Sequence, residues 1–369
     1  MGRRHPRRRA GRDHPAPERA RRQARPALSG PSPGRGHGRD EAGGRGGQGR
    51  TVTDLATHPR RTRRGDLARR VSRQGQLLTA PTLLVITFAS IIPLILVFVF
   101  AFSKVRLVDI PRLGTRPIQW TLENFERAFA NPTFWDALGT TLLYATLTMI
   151  GSVGTGLLLA LALRRPFKGR GVIRALLLVP YVLPVIAAVT IWKTMLNTQY
   201  GIVNAIGTTF LGWGAPIGFL NTSSIDVFGV PIPLSLLVVV LFEIWTSAPL
   251  SFLFITARLQ SIPAELEEAA AIDGASHWQT LWQITLPQLR GVVLLLCLLR
   301  FIWTFQSFNE VYLLTEGAGG TQVMALRVYT ELVTRANIGS AAAYGLLMSA
   351  VLVVLLAGYV MLLRRKEEL

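Results

Sequence analysis

LEEAAAIDGASHWQTLWQITLP, residues Leu266–Pro287, lies between two segments that are apolar enough to cross a membrane. Its composition predicts two short helices outside the membrane, since Glu, Ala and Leu are strong helix formers. Asp273 and Gly274 predict the end of the first helix, because glycine readily takes the left-handed conformation found just after a helix. Ser276 and Gln279 predict a capping box at the start of the second helix. We call this stretch the elbow.

The second helix of the elbow is expected to carry one apolar face. Trp278, Leu281 and Trp282 recur there at helical spacing. Pro287 is expected to bend the helix before it enters the membrane, because proline lacks the amide hydrogen that a helix interior needs. A rigid elbow with an apolar face predicts a docking surface for another protein.

Six segments are long and apolar enough to span a bilayer, which requires about 20 residues for roughly 30 Å of hydrocarbon. They are Ala80–Phe102, Leu138–Leu163, Ala175–Trp192, Leu234–Ala257, Gly291–Leu314 and Ser340–Leu363. The fourth contains Glu243, and the fifth contains Arg300 and Glu310. The pattern predicts an all-α integral membrane protein with six transmembrane helices.

Lysine and arginine accumulate on one side of these spans. The stretch before the first span (RRTRRGDLARRVSR), the loop after the second (RRPFKGRGVIR) and the C-terminal LRRKEEL are basic, whereas residues 197–233 contain no Lys or Arg. Since basic loops stay in the cytoplasm, both termini and the elbow are expected there. The loop after the first span is expected outside, although it has five basic and four acidic residues.

The net charge of +19 is concentrated in an N-terminal tail. Residues 1–79 hold 21 Arg, no Lys and 6 acidic residues, a net +15, while the other 290 residues hold 19 basic and 15 acidic groups, a net +4. The tail has no Phe, Trp or Tyr to stack on bases, so no binding to nucleic acid is expected.

The chain is expected to divide into a tail and one domain. Residues 1–74 are expected to be disordered, and a wrongly assigned start, with the true start near Val52, would explain them. Residues 75–369 are expected to form the transmembrane domain, with the elbow loop at 259–288. The single Cys297 cannot form a disulfide within the chain.

The elbow resembles the EAA loop of bacterial ABC importer permeases. The resemblance lies in IPAELEEAAAIDGASHWQTLWQITLP (262–287), with Glu-Ala-Ala at 268–270, Gly274, and Ile284-x-Leu286-Pro287 at the family's spacing. TLENFERAFANPTFWDALGTTLLYA (121–145), LLLVPYVLPVIAAVTIWKTMLNTQYGIVN (176–204) and FNEVYLLTEGAGGTQVMALRVYTE (308–331) resemble the carbohydrate subfamily of the maltose, glycerol-phosphate and trehalose type, and within it the first, maltose-permease-like subunit.

The resemblance implies a type I ABC importer fold in a bacterial cell membrane. It also implies a second permease subunit, two ABC ATPase subunits, an extracytoplasmic solute-binding protein and a sugar substrate. The chain has no Gly-x4-Gly-Lys-Ser/Thr loop, so it is expected to be no enzyme and to hold no cofactor, with ATP and Mg on the partner ATPase. In the family the coupling to the ATPase involves residues that match Glu268, Ala269, Ala270, Asp273, Gly274, Ile284, Leu286 and Pro287.

The candidate solute pathway lies inside the spans. An arginine at the centre of a span usually faces a bundle interior or water, and Arg300, Thr304 and Ser307 share one helical face. The positions that match solute contacts of a maltose-type permease are Tyr181, Thr246, Ser247, Leu250, Arg300, Thr304 and Ser307. The alternative is that Arg300 only pairs with Glu243 or Glu310 and holds the bundle together.

Two other functions remain open from the sequence. An ion-coupled secondary transporter would use Glu243 and Glu310 as proton carriers, but such carriers often show internal repeats, and the sequence shows none. An ABC permease for a polyamine, metal or phosphonate would keep the elbow and differ in the outer loops.

Overall fold

In the residues that the computed structural model describes, 63–112, 117–227 and 230–367, the regular secondary structure is helical apart from one short hairpin and one β-bridge between Ser103 and Trp120. The helices are α1 (Arg63–Ala101), α2 (Glu123–Ala130), α3 (Pro132–Ala162), α4 (Arg170–Val182), α5 (Val185–Met195), α6 (Ile202–Phe210), α7 (Leu234–Gln260), α8 (Ala264–Ile272), α9 (His277–Thr280), α10 (Leu286–Phe305), α11 (Asn309–Thr315), α12 (Met324–Tyr329) and α13 (Ile338–Glu367). Strands β1 (Ile225–Val227) and β2 (Val230–Ile232) pair antiparallel with Ile225 opposite Ile232. This hairpin is a small departure from the all-α prediction, in a segment rich in Ile and Val, which favour strands.

Five helices of the described residues are long and apolar enough to cross a membrane. They are Thr79–Ala101, Pro132–Ala162, Leu234–Gln260, His277–Phe305 and Ile338–Met361. The pair α4 and α5 makes a sixth span if the two helices are counted together. Counted in this way, the predicted number of six spans is confirmed, and the third of them is divided into two helices.

The third predicted span, Ala175–Trp192, is bent by 98° between α4 and α5. The break follows from the prolines of PYVLP. Leu183 has an extended backbone with ψ of 136°, which is what a following proline imposes, and Pro184 is the residue just before α5. The break leaves Tyr181 in the last turn of α4, on the other side of the bend from α5.

The fifth predicted span, Gly291–Leu314, is wrong at both ends. Helix α10 already begins at Leu286 and ends at Phe305, and α11 begins again at Asn309. The hydroxyl of Ser307 donates to the carboxylate of Glu310, and such local bonds compete with the helical ladder. Glu310 therefore lies on a separate short helix and not within the span.

The packed centre of the fold is the contact between α3 and α7. Phe242, Phe252 and Ile255 on α7 are fully buried, as is Tyr144 on α3. A Cβ added to Gly156 would lie 2.5 Å from the Cβ of Ser251 and 2.8 Å from the backbone nitrogen of Phe252. Small residues allow helix backbones to approach this closely in membranes.

Replacing Gly156 with valine is expected to lower the thermal stability of the purified protein, because the new side chain must push α7 away. Overpacking of this kind costs about 1–3 kcal/mol. Gly154→Val is the matched control, since an added Cβ there meets no atom within 4 Å. The measurement is the apparent melting temperature in detergent, and equal values for the two variants would contradict the close approach.

The N-terminal boundary differs from the prediction. Residues 1–62 lie outside the described part of the chain, so the start near Val52 and the disorder of most of the 1–74 tail stay predictions. Residues 63–74 are helical and belong to α1, in keeping with their content of Arg, Leu, Ala and Gln, which are good helix formers. In the apolar part of α1, residues 79–96 are all exposed within the chain, whereas Ala101 at the end of the helix is buried.

Candidate functional site

The elbow begins with α8, which ends in a closed turn at Gly274. The backbone nitrogen of Ala275 donates to the carbonyl of Ala270 at 2.9 Å, and that of Gly274 donates to Ala271 at 3.1 Å. These two bonds form a Schellman motif, which requires a left-handed residue, and Gly274 has φ of +79°. The predicted helix stop is confirmed.

The second helix of the elbow begins with the predicted capping box. The backbone nitrogen of Ser276 donates to the side-chain oxygen of Gln279 at 2.7 Å, and the backbone nitrogen of Gln279 donates to the Ser276 hydroxyl at 3.3 Å. Trp278 and Trp282 lie together with ring centroids 5.7 Å apart. Both side chains are more than half exposed, so the apolar face of the elbow is available at the surface of this chain.

The second helix then runs directly into α10. Residues Leu281–Thr285 form a π-helical turn, in which the backbone nitrogen of Leu286 donates to the carbonyl of Leu281. A wider turn removes the clash that Pro287 would make with a regular helix. The bend that the sequence predicts at Pro287 is thus replaced by a continuous but locally widened helix.

A cleft of about 820 Å³ separates the elbow from the end of α3, and we call it the elbow cleft. Arg164, just after α3, forms a salt bridge with Glu267 on α8. The hydroxyl of Thr285 donates to the same carboxylate at 3.4 Å. Glu267 therefore connects the elbow to two membrane helices, α3 through Arg164 and α10 through Thr285.

The predicted coupling residues divide between the elbow cleft and the core. Glu268 and Gly274 line the cleft. Ala270 is buried, Ile284 and Leu286 are partly buried, and the remainder are exposed: Ala269, Asp273 and Pro287. Sequence reasoning missed Arg164, Glu267 and Thr285, because the basic loop that contains Arg164 was used only for orientation.

A second site lies within the spans, in a cavity of about 200 Å³ that we call the membrane cavity. The guanidinium of Arg300 on α10 forms an ion pair with the carboxylate of Glu243 on α7, with Nη2 and Oε1 2.6 Å apart. Both residues are buried, at 7% and 8% exposure. The Nε of Arg300 has no hydrogen-bond partner among the described residues, so this group remains free to donate into its surroundings.

Some of the predicted pathway residues line this cavity and others do not. Tyr181, Thr246, Ser247 and Arg300 line it, together with Glu243 and Glu310. Thr304 lies 3.5 Å from the Arg300 guanidinium, and Ser307 donates to Glu310. Leu250 and the side chains of Thr304 and Ser307 are not part of the lining. The pairing of Arg300 with Glu243, which the sequence left open, is therefore the observed one.

The membrane cavity combines hydrogen-bonding groups with an ion pair. Hydroxyls of Thr246 and Ser247 donate to backbone carbonyls of their own helix, which leaves their lone pairs available as acceptors. Ligand sites for larger molecules occupy about 300–1,000 Å³. A cavity of about 200 Å³ in one chain is therefore too small for an oligosaccharide unless another chain contributes to it.

The comparisons with known proteins identify the family of this chain. Residues 152–368 match the family described as "Binding-protein-dependent transport system inner membrane component". The chain is 35% identical over 250 residues to the inner membrane ABC transporter permease protein YcjO of Escherichia coli, covering 67% of this chain and 80% of that one. It is 30% identical over 251 residues to the trehalose/maltose transport system permease protein MalF of Thermococcus litoralis, covering 68% and 80%.

Two further relatives extend over more of the chain. The diacetylchitobiose uptake system permease protein DasB of Streptomyces coelicolor is 29% identical over 320 residues, which cover 82% of this chain and 92% of that one. A bacterial ABC transporter involved in the import of the acidic polysaccharide alginate has the same fold, with a TM-score of 0.69, 21% identity and coverage of 81% and 99%. With its elbow and broken third span inside a shared fold, this chain belongs to the family of binding-protein-dependent transport system inner membrane components, the ABC transporter permeases.

Proposed function

We propose that this chain is the membrane-spanning subunit of an ATP-driven, binding-protein-dependent importer of sugars. The carrying observation is the elbow: α8 ends in a closed turn at Gly274, and the second helix, which begins with a capping box, runs without a break into α10. A rigid connection of this kind transmits a movement at its surface to the membrane helix. The names of relatives, which include trehalose/maltose and diacetylchitobiose uptake systems, support a sugar as the solute.

In this proposal the elbow faces the cytoplasm and an ATPase on a separate chain binds at the elbow cleft. ATP and Mg belong to that ATPase, of which two copies act. Glu268 and Gly274 line the cleft, and the exposed Trp278 and Trp282 offer apolar contact area beside it. The salt bridge between Arg164 and Glu267 would carry the movement to α3.

On the opposite side a solute-binding protein would deliver the sugar, and a second, different permease chain would complete the pathway. The small volume of the membrane cavity supports such a pair. Tyr181, Thr246, Ser247 and Arg300 are its proposed solute contacts, with Thr304 supporting the Arg300 guanidinium at 3.5 Å. A role as proton carrier is less suited to Glu243, because its carboxylate is already paired with Arg300.

The test is affinity purification of the tagged chain from native membranes in mild detergent, followed by mass spectrometry. We expect a second permease, a nucleotide-binding ATPase and a solute-binding protein to copurify. Recovery of this chain alone, active in liposomes on an ion gradient, would contradict the proposal. Uptake assays with labelled sugars, polyamines and phosphonates then distinguish the solute classes.

A further inference from the structure

A second polar cavity lies at the other end of the spans, where α3 and α13 begin, and we call it the basic cavity. It has a volume of about 390 Å³. Its lining residues include Arg106, Arg127, Asn131, Glu331, Arg335 and Asn337. Three arginines thus line a space that has one acidic lining residue, and neither the elbow nor the membrane cavity has any part in it.

Glu331, the carboxylate residue that lines the basic cavity, is shared between two cations. Glu331 pairs with Arg327 at 3.0 Å and with Arg335 at 2.9 Å. Since one carboxylate cannot neutralise two guanidinium groups, positive charge is left over at Glu331. Arg327 is buried against the ring of Tyr344, at 5.6 Å from its centroid, so the excess is presented to the cavity by the half-exposed Arg335.

A second carboxylate, which pairs with the lining residue Arg127, is also shared between two cations. Glu123 on α2 pairs with both Lys104 and Arg127, and the hydrogen bond from Lys104 lowers the pKa of Glu123. Arg106 is exposed, and its guanidinium forms no ion pair among the described residues; the nearby Asp109 accepts from the Arg106 backbone at 3.0 Å. The cavity therefore has an uncompensated positive charge and at least one free guanidinium.

Two membrane helices add to this potential. The side chain of Asn131 caps α3, and that of Asn337 accepts from the Ser340 backbone in the first turn of α13. Both capping residues line the cavity, so the positive ends of two long helices meet there. An anion at this place would be favoured by the side chains and by the helix dipoles together.

The surroundings place the cavity at the level of lipid headgroups. Trp135, in the first turn of α3, is 54% exposed and donates its indole N–H to the Phe129 carbonyl at 3.1 Å. Exposed tryptophan at a span end is typical of the membrane interface. Leu332 and Val333, next to Glu331, are also exposed, so apolar surface suited to acyl chains adjoins the charged one.

We propose that the basic cavity binds the phosphate headgroup of an anionic phospholipid in the leaflet where α3 and α13 begin. Basic pockets between membrane helices bind such headgroups. The site would also account for two of the five basic residues of the loop after the first span, Arg106 and Arg127, which oppose the general distribution of Lys and Arg in this chain. The exposed apolar residues favour a lipid over an acidic side chain of a soluble partner.

The test is native mass spectrometry of the delipidated protein in detergent, titrated with phosphatidylglycerol, phosphatidylcholine or soluble glycerol phosphate. We expect one phosphatidylglycerol to bind at least about tenfold more tightly than phosphatidylcholine, a difference of about 1.4 kcal/mol. Both lipids carry a phosphate, but the choline ammonium of phosphatidylcholine adds a positive charge that the arginines of the cavity repel, whereas phosphatidylglycerol has a net negative charge. Arg106→Gln combined with Arg335→Gln is expected to remove that preference. Arg112→Gln, in the same segment but outside the cavity lining, is expected to retain it.

Two results would overturn the proposal. One is an unchanged preference for phosphatidylglycerol in the double variant, and if that variant also no longer binds the extracytoplasmic partner protein, the cavity belongs to that partner. The other is equally tight binding of glycerol phosphate, which would assign the site to a soluble anion. If the double variant is unstable, Arg106→Gln alone is tested in its place. Arg106 is exposed and forms no ion pair among the described residues, so its replacement is expected to leave the fold intact.

Discussion

Replacing Gly274 with aspartate is expected to lower solute uptake by about tenfold or more while the chain still reaches the membrane. The φ of +79° at Gly274 costs a residue with a side chain about 1–2 kcal/mol. The change also adds a third carboxylate to a cleft that Glu267 and Glu268 already line. Because an added Cβ would meet no atom within 4 Å, the fold itself is expected to tolerate the substitution.

The measurements are labelled-solute uptake in cells and ATP hydrolysis by the reconstituted complex. An uncoupled complex would hydrolyse ATP without stimulation by the solute-loaded binding protein. Gly169→Asp is the matched control, because Gly169 has φ of +89°, lies between α3 and α4, and also has open space around an added Cβ. Wild-type uptake in both variants would show that Gly274 has no part in coupling.

Replacing Arg300 with methionine is expected to give the second large effect, a loss of stability of about 3–5 kcal/mol. Removing one partner of a buried ion pair leaves the other charge buried without compensation. Here the stranded group is the Glu243 carboxylate, which lies 2.6 Å from Arg300 in the intact protein. The apparent melting temperature in detergent checks this, with Arg290→Met, at an exposed residue of the same helix, as the control.

The double variant, Glu243→Leu with Arg300→Met, separates the two roles of the pair. Apolar residues of similar volume can replace a buried ion pair at little cost, so we expect most of the stability to return. Uptake is nevertheless expected to remain about tenfold below that of the wild type, because the cavity has lost its charged donor. Wild-type uptake by the double variant would reduce the pair to a structural role, and an unstable double variant would contradict the electrostatic argument.

The sequence was sufficient for the elbow because its structure depends on neighbours within a few residues. The stop at Gly274 and the capping box of Ser276 and Gln279 each involve bonds across three to five positions, so residue type and spacing predict them. The break in the third span is also local, since Pro184 imposes an extended backbone on Leu183, but we predicted a single unbroken span at Ala175–Trp192. Five of the six spans also follow from hydropathy alone.

The C-terminal end of the fifth span was predicted wrongly, and part of the reason lies in residues close to that end. Hydropathy continues past Phe305, but Ser307 and Glu310 satisfy each other and end the helix. The π turn before Pro287 is a similar case, since proline signals a disturbance without saying whether the helix bends or widens.

By itself, then, the sequence determined the membrane-spanning helices, the elbow and the resemblance to a permease family. The tertiary structure decided which charges meet: Arg300 with Glu243, 57 residues apart, and Arg164 with Glu267 across the elbow cleft. It also gathered Arg106, Arg127 and Arg335 from three separate segments into the basic cavity. These contacts depend on how far each helix is rotated and how closely it packs, as α7 does on α3 at Gly156, and no spacing along the chain encodes that rotation.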